Sequence, residues 1–250
     1  MSTVLNVLCA GAVQSLVTAL QARFLAETGS SLVTRFGAVG ALREALLEGV
    51  ACDVMIVTDA MVTALGAASH LRLESRTVLG QVHTGLAVRA DEAPPQVATG
   101  AQLAAAVRAA DGIYCPDPLR ATAGVHFADV LRRLGVLDEV LPRCHTFANG
   151  AAAMRALAAT QAPGQLGCTQ VSEILFTPGL RLVGALPPGF GLATTYSAAI
   201  AQGSGHSESA AAALLDLLGS AQTQDLRREL GSAQTQDLRR KLGVDPAPSV

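Results

Sequence analysis

The stretch FGAVGALREALLEG (36–49) sets two glycines around a valine at the point where a helical pattern begins. Backbone N–H groups at a helix start lack intrahelical acceptors and sit at the positive end of the helix dipole, so such a turn can hold an anion. No Ser, Thr or Asn stands beside Val39 and Gly40 to help. Other chemistry-bearing groups are sparse. Cys9, Cys52, Cys115, Cys144 and Cys168 are odd in number, widely spread and without CxxC or Cys/His ligand spacing, so neither a disulfide framework nor a metal site is indicated. There is no GxSxG elbow, Walker loop or HExxH, which leaves hydrolase, NTPase and metalloprotease chemistry without support. No cofactor is implied.

The elements that would position these groups belong to a chain of 250 residues, half of them apolar, 15% charged, with a formal net charge of −2. That length allows one domain or two lobes. The balance excludes the basic excess of a nucleic-acid binder and the high charge of a disordered chain. Aromatic residues make up 3% with no Trp, which argues against stacked sugars or bases and for small, charged ligands. No apolar run reaches the ~18 residues of a transmembrane segment. MSTVLNVLCAG shows no basic segment followed by an apolar stretch. As written the chain is expected in the cytoplasm; read as a processed mature chain it would be periplasmic.

Short apolar runs alternate with helical patterns. VLNVLCA (4–10) leads to a helix over about 13–27, then SLVTRF (31–36), a helix over about 38–47, and DVMIVTD (53–59). This β-α-β-α-β order predicts a parallel sheet covered by helices. HTGLAVRAD (83–91) is a further strand, and after ADEAPPQ the scheme restarts: helix 100–109, strand GIYCP (112–116), helix 122–134, strand HTF, helix 150–159, strand LGCTQ (166–170). The repeated scheme predicts two similar lobes with a ligand cleft between them. At the C-terminus GSAQTQDLRREL (219–230) is followed at once by GSAQTQDLRRKL (231–242). At ~100° per residue a twelve-residue period rotates the copies by about 120°. Gly231 is therefore expected to break the segment into two helices, one capping the fold.

The blocks LNVLCAGAVQSLVTALQARFLAETG, RFGAVGALREALLEGVACDVMIVTDA and PDPLRATAGVHFADVLRRLGV resemble, in matching order over roughly residues 4–190, the molybdate-binding proteins of ABC importers. The resemblance implies the type II periplasmic-binding-protein fold: α/β, two lobes, each a mixed, mostly parallel sheet flanked by helices, joined by a two-stranded hinge. Lobe one would comprise 1–82 and 193–250, with the duplicated segment 219–242, and lobe two 83–192. The family's ligand is a small anion held by helix N-termini as the lobes close. An ABC permease is a partner only if the chain is exported.

The likeness departs at the ligand. Where the family supplies serine hydroxyls this chain has Ala12 and Val39, and where it supplies a tyrosine this chain has Gln170. Each lost hydrogen bond to a buried oxyanion costs ~1–3 kcal/mol, which disfavours molybdate, tungstate, sulfate and phosphate. The remaining donors are expected at Gly11, Ala12, Val39 and Gly40, at Thr122 and Gly124 in ATAG, at Asn149 and Gly150 in FANG, and at Thr169 and Gln170, with Arg120 as a partner for a second carboxylate. A carboxylate attached to carbon suits Val39 better than an inorganic oxyanion. A small organic anion is the expected ligand. The alternative is a cofactor-independent isomerase of an unsaturated di- or tricarboxylic acid, since aconitate isomerase resembles this receptor family. His83 at the hinge strand, Cys9 and Cys168 are then the proton-transferring candidates, with His126 and His145 behind them.

Overall fold

The computed structural model describes residues 3–204, 207–224 and 226. In chain order the elements are β1 (Val4–Ala10), α1 (Gln14–Thr28), β2 (Ser31–Gly37), α2 (Val39–Leu47), β3 (Val54–Thr58), α3 (Asp59–Ala67) and β4 (Thr77–Arg89). There follow α4 (Gly100–Ala109), β5 (Gly112–Pro116), α5 (Thr122–Arg133), α6 (Leu137–Val140), β6 (Cys144–Phe147) and α7 (Gly150–Ala159). Then come β7 (Gln165–Gln170), α8 (Val171–Phe176), β8 (Leu180–Ala185), β9 (Ala193–Ile200) and α9 (Glu208–Gly219). They form two compact units. The first runs to Gln81 and resumes at Thr194; the second is Val82–Ala193. The chain crosses between them inside β4 and at the start of β9.

In the first unit the strand order is β2-β1-β3-β9-β4. β1 pairs with β2 and β3 in parallel, and β3 with β9 antiparallel. Ala10 and Gly37 are register partners, so the turns after β1 and β2 leave the sheet side by side. α1 buries Leu16, Val17, Leu20 and Phe24, the spacing of one helical face. It ends at Gly29, whose φ of 67° and N–H bond to the Leu25 carbonyl make a left-handed cap. Asp53 ties the unit together: its carboxylate accepts the Asn6 N–H at 2.8 Å and the Ser207 hydroxyl ahead of α9.

In the second unit β4-β7-β5-β6 forms the sheet and β8 pairs with β4. β5 is parallel to β6 and β7, and β4 antiparallel to β7 and β8. Two cores cover it. Leu86 and Val88 of β4, Ile113 and Cys115 of β5, and Leu166 and Cys168 of β7 pack with Phe127, Val130 and Leu131 of α5. Ala87 packs with Ala153, Met154 and Leu157 of α7 and Ile174 of α8. Because side chains alternate along a strand, β7 sends Leu166 and Cys168 to α5 and its intervening residues to α7.

The expected alternation of strands and helices is present, with ends shifted by a residue or two. β4 differs more: it begins at Thr77, well before His83, because Gly80 at φ 149° interrupts the alternating pattern without ending the strand. The structure adds α3, α6, α8, β8, β9 and α9 to the elements expected from sequence. The first repeat copy opens as the turn that closes α9: Thr223 is fully buried, its hydroxyl within reach of the Leu217, Leu218 and Ser220 carbonyls. The expected break at Gly231 and the second copy lie outside the described residues.

Candidate functional site

In the first unit α2 begins after Ala38, an extended residue (φ −70°, ψ 146°) that gives no side-chain cap. The first ladder bond runs from the Leu42 N–H to the Ala38 carbonyl. The N–H groups of Val39, Gly40 and Ala41 therefore precede the ladder. Ala38 and Val39 are buried, so these donors emerge from apolar surroundings. Gly11–Val13 forms a 3-10 turn after β1, again with no side-chain cap, and Ala12 is buried. α3 contrasts with both. Thr58 Oγ1 accepts from the Met61 N–H at 3.3 Å, and Asp59 accepts from Arg76 at 2.5 and 2.7 Å and from the Ser197 hydroxyl at 2.5 Å. The Arg76 guanidinium holds the Asp59 carboxyl below its ordinary range.

In the second unit the start of α7 is satisfied from within. Asn149 Oδ1 accepts the Ala152 N–H at 2.8 Å. The Glu173 carboxyl accepts the Thr169 hydroxyl at 2.5 Å and the N–H groups of Gln170 and Ala151. A Cβ on Gly150 would come within 2.0 Å of both Glu173 Oε2 and Thr169 Oγ1, so glycine is what lets this cluster close. Burial pushes the Glu173 carboxyl up, against the pull of those hydrogen bonds. Asn149, Gly150 and Thr169, expected as ligand donors, here build an internal helix cap.

The start of α5 is different. Asp117 Oδ1 accepts the N–H groups of Leu119 and Arg120 at 2.7 and 3.2 Å, turning the chain into α5, whose N-cap Ala121 offers no side-chain bond. The ladder begins with Val125 N–H to the Ala121 carbonyl, leaving Thr122, Ala123 and Gly124 before it. A Cβ on Gly124 would meet the Asp117 and Pro116 carbonyl oxygens at 2.3 and 2.4 Å, so this turn lies directly on the end of β5. Because β7 runs parallel beside β5, its last residue, Gln170, lies at the same end of the sheet as the turn into α5. By alternation Gln170 shares the α5 face with Leu166 and Cys168.

Gln170 is 3% exposed and Thr84 is fully buried. They are register partners across β4 and β7, and Thr84 shares its face with Leu86. Neither Oε1 nor Nε2 of Gln170, nor Oγ1 of Thr84, has a hydrogen-bond partner. Buried polar atoms are normally paired, and these three stand unpaired on the face that carries the start of α5. Thr84 was not singled out from sequence. The signal for it in the sequence is a threonine alternating with apolar Leu86 on an inward face.

The proton-transfer candidates are placed as follows. His83 is exposed and has the opposite parity to Thr84. Cys9 and Cys168 are wholly buried, and burial pushes both thiols up, which suppresses the thiolate. His126 Nε2 lies 2.7 Å from the Phe190 carbonyl; His145 is exposed against Tyr114. The Arg120 side chain is exposed. No cluster of metal-ligating side chains occurs among the described residues, nor any helix long and apolar enough to cross a membrane.

A family model described as bacterial extracellular solute-binding protein matches residues 5–231. An aconitate isomerase from Pseudomonas sp. is 26% identical over 230 residues, covering 87% of this chain and 83% of that protein. Among solved structures, the periplasmic molybdate-binding protein of Azotobacter vinelandii superposes with a TM-score of 0.74 at 18% identity, covering 91% of this chain and 97% of its own. The sulfate-binding protein SubI from Mycobacterium tuberculosis gives 0.72 at 15% identity, with coverages of 98% and 92%. At these identities the likeness establishes the fold, the type II periplasmic-binding-protein architecture expected from sequence.

Proposed function

Because the chain belongs to the bacterial extracellular solute-binding proteins, we propose that it binds a small organic carboxylate rather than molybdate or another tetrahedral oxyanion. Each unit by itself offers holding groups: the helix starts at Gly11 and at Val39–Gly40 in the first, and the start of α5 with Gln170 in the second. One observation carries this most: α2 begins at Ala38 and Val39 with no side-chain cap, so its donors are backbone N–H groups in an apolar setting. A tetrahedral dianion spreads charge over four oxygens and needs donors on every side, whereas a carboxylate concentrates it on two oxygens and leaves a carbon end to rest on Val39.

A thermal-shift comparison of molybdate, tungstate, sulfate and phosphate with mono-, di- and tricarboxylates tests this. A ligand at ~100 times its Kd stabilises the fold by about 2.7 kcal/mol, a readable shift. Stabilisation by an organic acid is the expected result; stabilisation by an inorganic oxyanion alone overturns the proposal.

The 26% identity to an aconitate isomerase favours a second function, an allylic proton shift within an unsaturated di- or tricarboxylate. One C–H proton leaves and one returns at the other end of the allyl unit, so no oxidant is consumed. With Cys9 and Cys168 buried, exposed His83 is the remaining candidate of the three, and its place on the other face of β4 from Thr84 weighs against it. Proton NMR in D2O would show deuterium entering the substrate; no exchange across such acids removes the isomerase.

A further inference from the structure

We infer that the bound acid carries a hydroxyl group beside its carboxylate, received by Gln170 and Thr84. This rests on the carboxylate proposal and deepens it. At neutral pH a simple carboxylate offers hydrogen-bond acceptors only. It can satisfy the Gln170 Nε2–H and the Thr84 hydroxyl but not Oε1 of Gln170, an acceptor that is buried and unpaired. Either orientation of the amide leaves one donor and one acceptor to be met. A ligand matching both must present an acceptor and a donor together. A 2-hydroxy acid does so: its carboxylate oxygen and its O–H lie side by side, as the N–H and C=O of a carboxamide do.

An ammonium group would also donate. It is disfavoured because the carboxylates nearest this position are committed elsewhere: among the described residues, Asp117 Oδ1 accepts two N–H groups of its own turn, and Glu173 lies on the α7 side, bonded to the Thr169 hydroxyl. The start of α5, on the same face, carries the positive end of a helix dipole and repels a cation while attracting the carboxylate. The uncharged hydroxyl meets neither cost.

The test uses the full chain and calorimetric titration with paired acids that differ by one hydroxyl, such as 2-hydroxypropionate against propionate and hydroxysuccinate against succinate, within a panel extending to tricarboxylates. The hydroxylated member should bind about 10-fold to 100-fold more tightly, because its absence strands a buried acceptor. Gln170→Leu should bring that ratio close to one, and Thr84→Val, nearly isosteric, should lower it. Equal affinities within every pair overturn the hydroxyl inference while leaving a carboxylate binder. Tighter binding of the matching 2-amino acids overturns the choice of hydroxyl. Binding of no carboxylate overturns both this inference and the function it rests on.

Discussion

Thr84 and Gln170 face one another across β4 and β7 with three buried side-chain polar atoms unpaired between them. In the ligand-free protein this arrangement costs stability, since each stranded buried group forfeits its hydration without replacement. Gln170→Leu should therefore raise the stability of the free protein by about 1–3 kcal/mol, read from urea unfolding, while weakening ligand binding. Thr84→Val should act in the same direction. Such opposition of stability and function is common where a site holds groups in reserve for a ligand. A destabilised Gln170→Leu would show that the amide is satisfied in the free protein.

Glu173 makes a pH prediction. Its carboxyl is raised in the folded protein by burial, so between the unfolded and folded pKa values the native state binds more protons than the unfolded state. Stability from this group is then complete below the unfolded value, ~4.3, and is lost as pH rises through the folded value. Glu173→Gln removes that loss while keeping an acceptor for the start of α7. Unfolding free energy measured from pH 4 to 8 should fall less with rising pH in Glu173→Gln than in the parent; parallel profiles would refute the assignment.

How far the sequence led differs between the two units. The open start of α2 could be read directly, because FGAVG contains no capping side chain and the register of Ala10 with Gly37 only confirms which turns are neighbours. In the second unit, FANG and ATAG looked equivalent. The structure separates them through Glu173, which reaches the Ala151 N–H by way of a tertiary contact that no local pattern encodes. Asn149 did carry a local signal, since Asn immediately before a helix is a preferred N-cap. The unpaired state of Gln170 depends on which residue β4 sets opposite it, and that register was hidden once Gly80 concealed where β4 begins.

The two helix starts of the second unit can be told apart by substitution. Gly124→Ala puts a Cβ 2.3 Å from the Asp117 carbonyl oxygen, a backbone atom that cannot swing aside, so the first turn of α5 must lift. The expected outcome is a loss of about 1–3 kcal/mol together with weakened ligand binding. Asn149→Ala removes an N-cap at a cost of about 1 kcal/mol and should leave affinity unchanged, because α7 is capped internally. Paired unfolding and ligand titrations decide between them: equal loss of affinity in both variants would place α7 in the binding site.

The missing hydroxyls of the first unit can be put back. Ala12 and Val39 follow strand ends that are register partners, so Ala12→Ser with Val39→Ser adds two O–H donors to neighbouring turns. A hydrogen bond to a charged acceptor contributes ~1.5–3 kcal/mol, or about 10-fold to 100-fold in affinity for each hydroxyl that engages. Molybdate, sulfate and tungstate titrated against the double variant should show binding that the parent lacks, while the organic acid loses affinity as the apolar contact at Val39 is trimmed. If the variant folds with its parent's stability and still ignores all three oxyanions, the absent hydroxyls are not what sets the ligand class, and the selectivity must come from the groups around Gln170.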